Sequence, residues 1–256
     1  MTRRPVDRRS FLTLWLLGVA GVAASVPYLF RSGVLDPAAL PVSPALAVGA
    51  TIGQTAVLLA AATWIGLSLG PAVGLRTPFL DALVGAHPMP DPRPVVAQAL
   101  GLGAVTGALV LGVDRIVFAG RVAIGAGIAG TPLEILGIGV LAAFAGGTYE
   151  ELLLRFGAMT LVVWALWRLH PGPDGMPRPW MVWIGVVLTA ALFAIGHLPA
   201  TAQLTALTPA VIVRALVLNG LPGVLFGWLY WKGGLEAAMV AHVGAGLVLH
   251  VGGGLL

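Results

Sequence analysis

Long runs of apolar residues recur along this chain, and most are long enough to cross the hydrocarbon core of a membrane. The clearest runs cover residues 11–30 and 209–231, and short polar or proline-rich segments separate one run from the next. In lipid the backbone must satisfy its own hydrogen bonds, which leaves only helices or closed barrels. Barrel strands would appear as short segments of alternating polarity. The sequence therefore predicts an all-α fold, a polytopic transmembrane helical bundle.

Composition agrees with a chain that uses lipid as its solvent. Hydrophobic residues make up 58% of the chain and charged residues 9%, whereas soluble domains carry about 25% charged residues. The chain has no cysteine, which excludes disulfides, iron–sulfur clusters, thiol catalysis and cysteine-based zinc sites. The net charge of +4 comes from basic residues that mostly flank the apolar runs. These residues suit topology anchors, so we expect no nucleic-acid partner.

The number of spans depends on one long stretch, residues 132–169. The other expected spans are 11–30, 45–69, 95–118, 180–198, 209–231 and 235–256, with a proline-rich charged loop at 71–94 and a charge-free loop at 199–208. As one helix, residues 132–169 would extend ~55 Å; alternatively they cross twice, with a break near Gly146 and Gly147. A single crossing gives seven spans and places most basic loops on the same side of the membrane as the N-terminus. Two crossings give eight spans. The positive-inside rule favours seven.

The first residues carry four arginines ahead of the first span. Arg8 to Leu12 resembles a twin-arginine export signal, but a cytoplasmic basic anchor explains the same residues and is favoured. We expect three parts: a basic anchor at 1–10, N-terminal transmembrane helices at 11–131, and a catalytic transmembrane core at 132–256. The predicted location is a bacterial cytoplasmic membrane, with the N-terminus in the cytoplasm.

Ionisable residues at membrane depth are costly and are therefore candidates for function. Residues Glu150 to Arg155 read E-E-L-L-L-R. Glu151 and Arg155 are four apart, so on a helix they share a face in the favoured acid-before-base order. They are expected to form a structural ion pair. Glu150 is rotated by about 100° from Glu151 and has no obvious local partner, which leaves it available as a base. A cluster of charges reaching water at a span end is the alternative.

Two histidines on later spans are the other candidates. His197 closes the sequence F-A-I-G-H after Phe193, and the hairpin around residues 170–179 places it at a depth similar to that of Glu150. His242 lies on the last span, but it is only about 15 Å along a helix from Lys232. To reach the others, the turn at residues 231–234 must lie below the surface, or the earlier hairpin must project. A purely packing role stays open for His242, and His250 is a weaker candidate.

These motifs together resemble the CPBP family of intramembrane proteases, which includes the CAAX prenyl protease and the bacterial Abi proteins. The family pattern is E-E-x-x-x-R, F-x-x-x-H and H-x-x-x-N on successive helices; Glu150 to Arg155 and Phe193 to His197 match the first two. The third is matched at His242, but the Asn position is occupied by Gly246. The resemblance implies peptide-bond hydrolysis in the membrane, with Glu150 and His197 activating water and His242 stabilising the oxyanion. Asn219 or a backbone N–H is the candidate replacement for the missing Asn.

A metal-dependent mechanism is the alternative within this family, because its members are often called metalloproteases. Glu150, His197 and His242 form a two-histidine, one-glutamate set of the kind that binds zinc. A metal ligand cannot easily serve also as the base, so we favour activation of water without a cofactor. The implied partner is a membrane-embedded or lipidated protein or peptide, since eukaryotic relatives trim prenylated C-a-a-X tails.

Two further functions are compatible with the same residues. A non-catalytic immunity or scaffold protein would keep the fold without the reaction, and Gly246 favours it. A transporter coupled to protons or ions could use the same buried charges, but the sequence shows no inverted repeat of the kind found in transporters.

Overall fold

A computed structural model describes residues 6–122 and 130–255, and those residues form helices with no strand. Within these described residues, seven helical segments are long and apolar enough to cross a membrane: Arg8–Arg31, Pro44–Val73, Pro92–Phe118, Pro132–Leu169, Pro179–Leu204, Pro209–Gly233 and Leu235–Leu255. The all-α, polytopic fold is therefore confirmed, and the protein is an integral membrane protein. The stretch 132–169 is one helical segment, so the count of seven is confirmed.

The elements in chain order follow the spans with few additions. They are α1 (Arg8–Arg31), α2 (Pro44–Leu69), α3 (Pro78–Leu83), α4 (Pro92–Val113), α5 (Pro132–Ala145), α6 (Thr160–Leu169), α7 (Pro179–Gly196), α8 (Leu198–Leu204), α9 (Pro209–Gly233), α10 (Leu235–Gly246) and α11 (Gly253–Leu255). The loop expected at 199–208 thus contains a short helix, α8. This expectation was wrong because lack of charge does not exclude a single helical turn or two.

Proline and a capping side chain set the start of most spanning helices. Ser43, Asp91, Thr131 and Thr208 each accept a backbone N–H of the first helical turn, and a proline follows each of them. Thr131 forms a reciprocal capping box with Glu134. These residues satisfy N–H groups that the helix leaves free, and proline has no N–H to lose.

The segment Pro132–Leu169 is continuous, but its middle is wider than an α-helix. Residues Gly146–Glu150 and Leu152–Met159 are π-helical, a form that is rare and often found at functional sites. A break was the alternative at Gly146 and Gly147, but the helix continues through them. The two glycines instead let α10 pack closely against the long helix. A Cβ on Gly147 would lie 2.8 Å from the carbonyl oxygen of Met239, and a Cβ on Gly146 would lie 2.7 Å from His242 Nε2.

Close contacts at glycines show the directions of the helices. Gly18 and Gly21 of α1 approach Leu152 and Thr148, so α1 runs antiparallel to the long helix. Gly103 and Gly107 of α4 approach Ala241 and Ala245, so α4 runs parallel to α10. Gly223 and Gly227 of α9 approach Ala190 and Val186, so α9 runs antiparallel to α7. Small residues let the backbones meet closely, as is usual between helices in membranes.

These directions give the bundle two distinct ends. The basic end holds Arg8, Leu69, Leu169, Pro179 and Gly233, and the distal end holds Arg31, Pro44, Pro132, Leu204 and Leu255.

At the basic end the segment 70–83 covers the turn between α9 and α10. The Leu235 N–H donates to the Arg76 carbonyl (3.0 Å), and Glu236 accepts the N–H groups of Phe79 and Leu80 at 3.0 and 2.9 Å. The segment 70–83 therefore covers the end of this turn, where Gly234 and Leu235 are buried, while Lys232 is exposed.

Candidate active site

Glu151 and Arg155 form a fully buried ion pair on the long helix. Arg155 Nη1 lies 3.1 Å from Glu151 Oε1, and both side chains are 0% exposed. Arg155 also donates from Nη2 to the carbonyl oxygen of Gly223 at 2.9 Å. Its guanidinium carbon lies 5.1 Å from the centre of the Phe193 ring and 5.5 Å from that of Phe226. The arginine thus joins the long helix to α7 and α9.

Glu151 has a second partner that the sequence did not indicate. His242 Nδ1 lies 2.8 Å from Glu151 Oε1. A carboxylate only accepts hydrogen bonds, so Nδ1 carries the hydrogen and Nε2 faces the other way. Glu151 therefore fixes the tautomer and the orientation of His242, besides pairing with Arg155.

Glu150 points to the other side of the same histidine. Its Oε2 lies 3.6 Å from His242 Nε2, and its Oε1 accepts a hydrogen bond from the Tyr149 hydroxyl at 2.9 Å. The sequence left Glu150 without a local partner, and this expectation was wrong because it did not consider the adjacent tyrosine. Glu150 is 19% exposed and His242 is 12% exposed, in contrast to the sealed pair of Glu151 and Arg155.

Phe193 connects the two histidines. Its ring packs edge-on against His197 at 4.7 Å and against His242 at 5.7 Å between ring centres. His197 follows the last residue of α7, and its Nδ1 lies 2.8 Å from the Phe193 carbonyl oxygen. Since a carbonyl cannot donate, Nδ1 is the protonated nitrogen. His197 Nε2 is left with a lone pair that can accept a hydrogen bond from water.

Phe226 and Gly146 hold His242 from two further sides. The Phe226 ring stacks on the imidazole with 4.5 Å between centres and an angle of 17°. A Cβ at position 146 would come within 2.7 Å of His242 Nε2, so glycine keeps this space open. Neither residue belongs to a motif of the sequence, and only the packing of α9 and the long helix against α10 reveals them.

Position 246 has no free space for an asparagine side chain. A Cβ at this position would lie 2.8 Å from both Cα and Cβ of Ala143, so the backbones of α10 and α5 meet there. An asparagine could not enter without moving a helix. Asn219, the candidate replacement, donates from Nδ2 to the Ala215 carbonyl of its own helix at 2.9 Å. Its role at the oxyanion stays a prediction.

His250 and the first span also approach the site. The His250 ring packs edge-on against Tyr28 of α1 with 4.9 Å between centres. The first span therefore contacts the last span at His250.

The zinc alternative requires three ligands around one point, about 2.0–2.2 Å from the ion. Glu150 and His242 are neighbours, with 3.6 Å between their facing atoms. In the described part of the chain, however, no three histidine, aspartate or glutamate side chains are grouped to hold a metal ion. As placed, Glu150, His197 and His242 do not fit a three-ligand zinc site.

Comparison with known protein families finds a match for the segment that holds the site. Residues 132–248 match the family described as type II CAAX prenyl endopeptidase Rce1-like. The chain has no significant match among curated proteins or among solved structures. The matched segment contains the buried ion pair and Glu150, His197 and His242. Residues 132–248 are therefore similar to the Rce1-like family of CAAX-type endopeptidases.

Proposed function

We propose that this protein is an intramembrane endopeptidase that hydrolyses a peptide bond of a membrane-associated protein or peptide. The observation that carries the proposal is the pairing of Glu150 with His242 in the open part of the site. Glu150 Oε2 and His242 Nε2 face each other at 3.6 Å. The carboxylate and the imidazole therefore lie side by side, so both can meet the carbonyl group of a peptide bound next to them.

Glu150 acts as the general base and His197 orients the water. The water donates one hydrogen to Glu150 and the other to the free Nε2 of His197, and its oxygen attacks the peptide carbonyl carbon. The proton taken by Glu150 then passes to the leaving nitrogen as the C–N bond breaks. The products are a carboxylic acid and an amine, and no other reactant is consumed.

His242 stabilises the oxyanion as an imidazolium. Its Nδ1 hydrogen is held by Glu151, so the oxyanion must be met by a second hydrogen, on Nε2. One such donor typically contributes about 10²–10³ in rate. Arg155 and Phe226 act as positioning residues, because they hold Glu151 and the His242 ring.

Mass spectrometry of membrane peptides tests the reaction. Cells that carry the wild-type protein are compared with cells that carry Glu150→Ala at equal expression. We expect cleavage products that are present only with the wild-type chain. No difference in any product would contradict the protease and favour a non-catalytic protein with the same fold.

Zinc is tested on the purified protein. We expect cleavage to persist after dialysis against a chelator, with much less than one zinc ion per chain. A stoichiometry near one, with activity lost to the chelator and restored by zinc, would instead favour the metal-dependent alternative.

A further inference from the structure

The site is closed on the side that faces the basic end of the bundle. From Glu151 toward that end, the helices contribute a continuous layer of fully buried side chains, which we call the sealed layer. Leu152, Arg155, Thr160, Tyr230 and Leu235 are each 0% exposed. The hydroxyl groups of Thr160 and Tyr230 form a hydrogen bond within this layer, with 2.8 Å between the two oxygens. Neither water nor a peptide can reach Glu150 through it without unpacking the core.

The wall on the distal side of the site includes the end of α7 and the short helix α8. Arg155 and Ala190 both lie against Gly223, and His197 is about 10 Å from Ala190 along α7. The helix α7 ends there, at the depth of the site. Beyond it lies α8, which has no buried residue among its seven.

Polar groups continue on the distal side. His250 lies two turns beyond His242, and in an ideal α-helix residues eight apart differ by about 80° in direction. The π-helical turn Leu247–Gly252 has more residues per turn, which reduces that difference and turns His250 toward the face of His242. Tyr28 packs on it from α1. Tyr28 and His250 are therefore polar side chains on the distal side of His242.

The distal end is also the end with little net positive charge. Among the described lysine and arginine residues, seven lie at the basic end: Arg8, Arg9, Arg76, Arg93, Arg168, Arg178 and Lys232. Arg155 is in the core and four remain at the distal end. Two of these four are paired, Arg31 with Glu134 at 3.0 Å and Arg214 with Asp114 at 2.6 Å. The positive-inside rule places the basic end in the cytoplasm.

We propose that the site opens at the distal end, on the face of the membrane away from the cytoplasm. Its substrates are membrane-anchored proteins or peptides whose cleaved bond lies in that half of the bilayer or just outside it. The substrate class rests on the proposed proteolysis, whereas the direction of opening does not.

The absence of cysteine makes single-cysteine labelling a direct test. Four variants are compared: Ala206→Cys at the distal end, Pro173→Cys in the loop at the basic end, Glu150→Cys in the site, and Thr160→Cys in the sealed layer. A sulfonated maleimide that cannot cross membranes is applied to intact cells, to permeabilised cells and to denatured protein. Tyr28→Cys is a second probe of the site if Glu150→Cys does not accumulate.

We expect Ala206→Cys and the site cysteine to react in intact cells, Pro173→Cys only after permeabilisation, and Thr160→Cys only after denaturation. A site cysteine that reacts only after permeabilisation, or not before denaturation, would overturn the proposed opening. Reaction of Pro173→Cys but not Ala206→Cys in intact cells would overturn the orientation. Labelling does not depend on enzymatic activity. The proposed direction of opening and the proposed proteolysis are therefore tested separately.

For the substrate class, products that depend on Glu150 are mapped onto their parent proteins. We expect the cleaved bonds to lie in the non-cytoplasmic halves of spans or next to them. Cleavage confined to cytoplasmic segments would overturn this part of the proposal.

Discussion

The two carboxylates at the centre of the molecule are adjacent in sequence but lie in different environments. Glu151 is 0% exposed and is held by Arg155 and His242, whereas Glu150 is 19% exposed, accepts a hydrogen bond from Tyr149 and faces His242 at 3.6 Å. The sealed layer around Glu151 gives rigidity, and the open side around Glu150 gives access for water and substrate. Changes in the sealed layer should therefore reduce stability, and changes on the open side should reduce the rate of cleavage.

The largest effect is expected from Arg155→Met. It leaves the Glu151 carboxylate buried without its cation, and removal of one partner of such a pair typically reduces stability by about 3–5 kcal/mol. Cleavage should also fall, since Glu151 orients His242. Thermal unfolding in detergent measures the change. A variant as stable as the wild type would contradict the structural role of the pair.

Glu150→Gln should separate the two environments most clearly. Glutamine keeps the shape but cannot take a proton, so the cleavage rate should fall by about 10²–10⁴. The melting temperature should change little, because no buried ion pair is broken. Single-turnover cleavage and thermal unfolding on the same preparation check both points. Retained cleavage would remove Glu150 from the reaction.

Gly246→Asn tests whether the missing asparagine reflects packing. The new side chain would collide with Ala143, and overpacking typically costs about 1–3 kcal/mol. Gly252→Asn is the matched control, because a Cβ at Gly252 meets nothing within 4 Å. Unfolding of the two variants is compared. If the Gly246 variant is stable and faster than the wild type, the position faces the site rather than Ala143.

Tyr149→Phe should have the smallest effect of the four. It removes one hydrogen bond to a carboxylate, and such a bond is worth about 1.5–3 kcal/mol at most. Because Glu150 keeps partial access to water, we expect a change of several-fold in cleavage and no loss of stability. A change as large as that of Glu150→Gln would instead place the tyrosine in the reaction.

Much of the site was predictable because it depends on spacing along a helix. Glu151 and Arg155 are four residues apart, and their ion pair follows from helical geometry alone. Motif order identified Glu150, His197 and His242 as one group. The bond from His242 to Glu151 could not be predicted, because it joins residues 91 positions apart and depends on how far α10 enters the bundle.

The all-α membrane fold, the seven spans and the residues that carry charge into the bilayer all follow from the amino-acid sequence, because lipid leaves an apolar chain few other ways to satisfy its backbone. Three features could be seen only in the folded molecule. Glu151 orients His242, Gly246 is a packing contact, and Phe193 and Phe226 enclose the site. Those features depend on glycine contacts between helices, where a single Cβ would change the distance between two backbones.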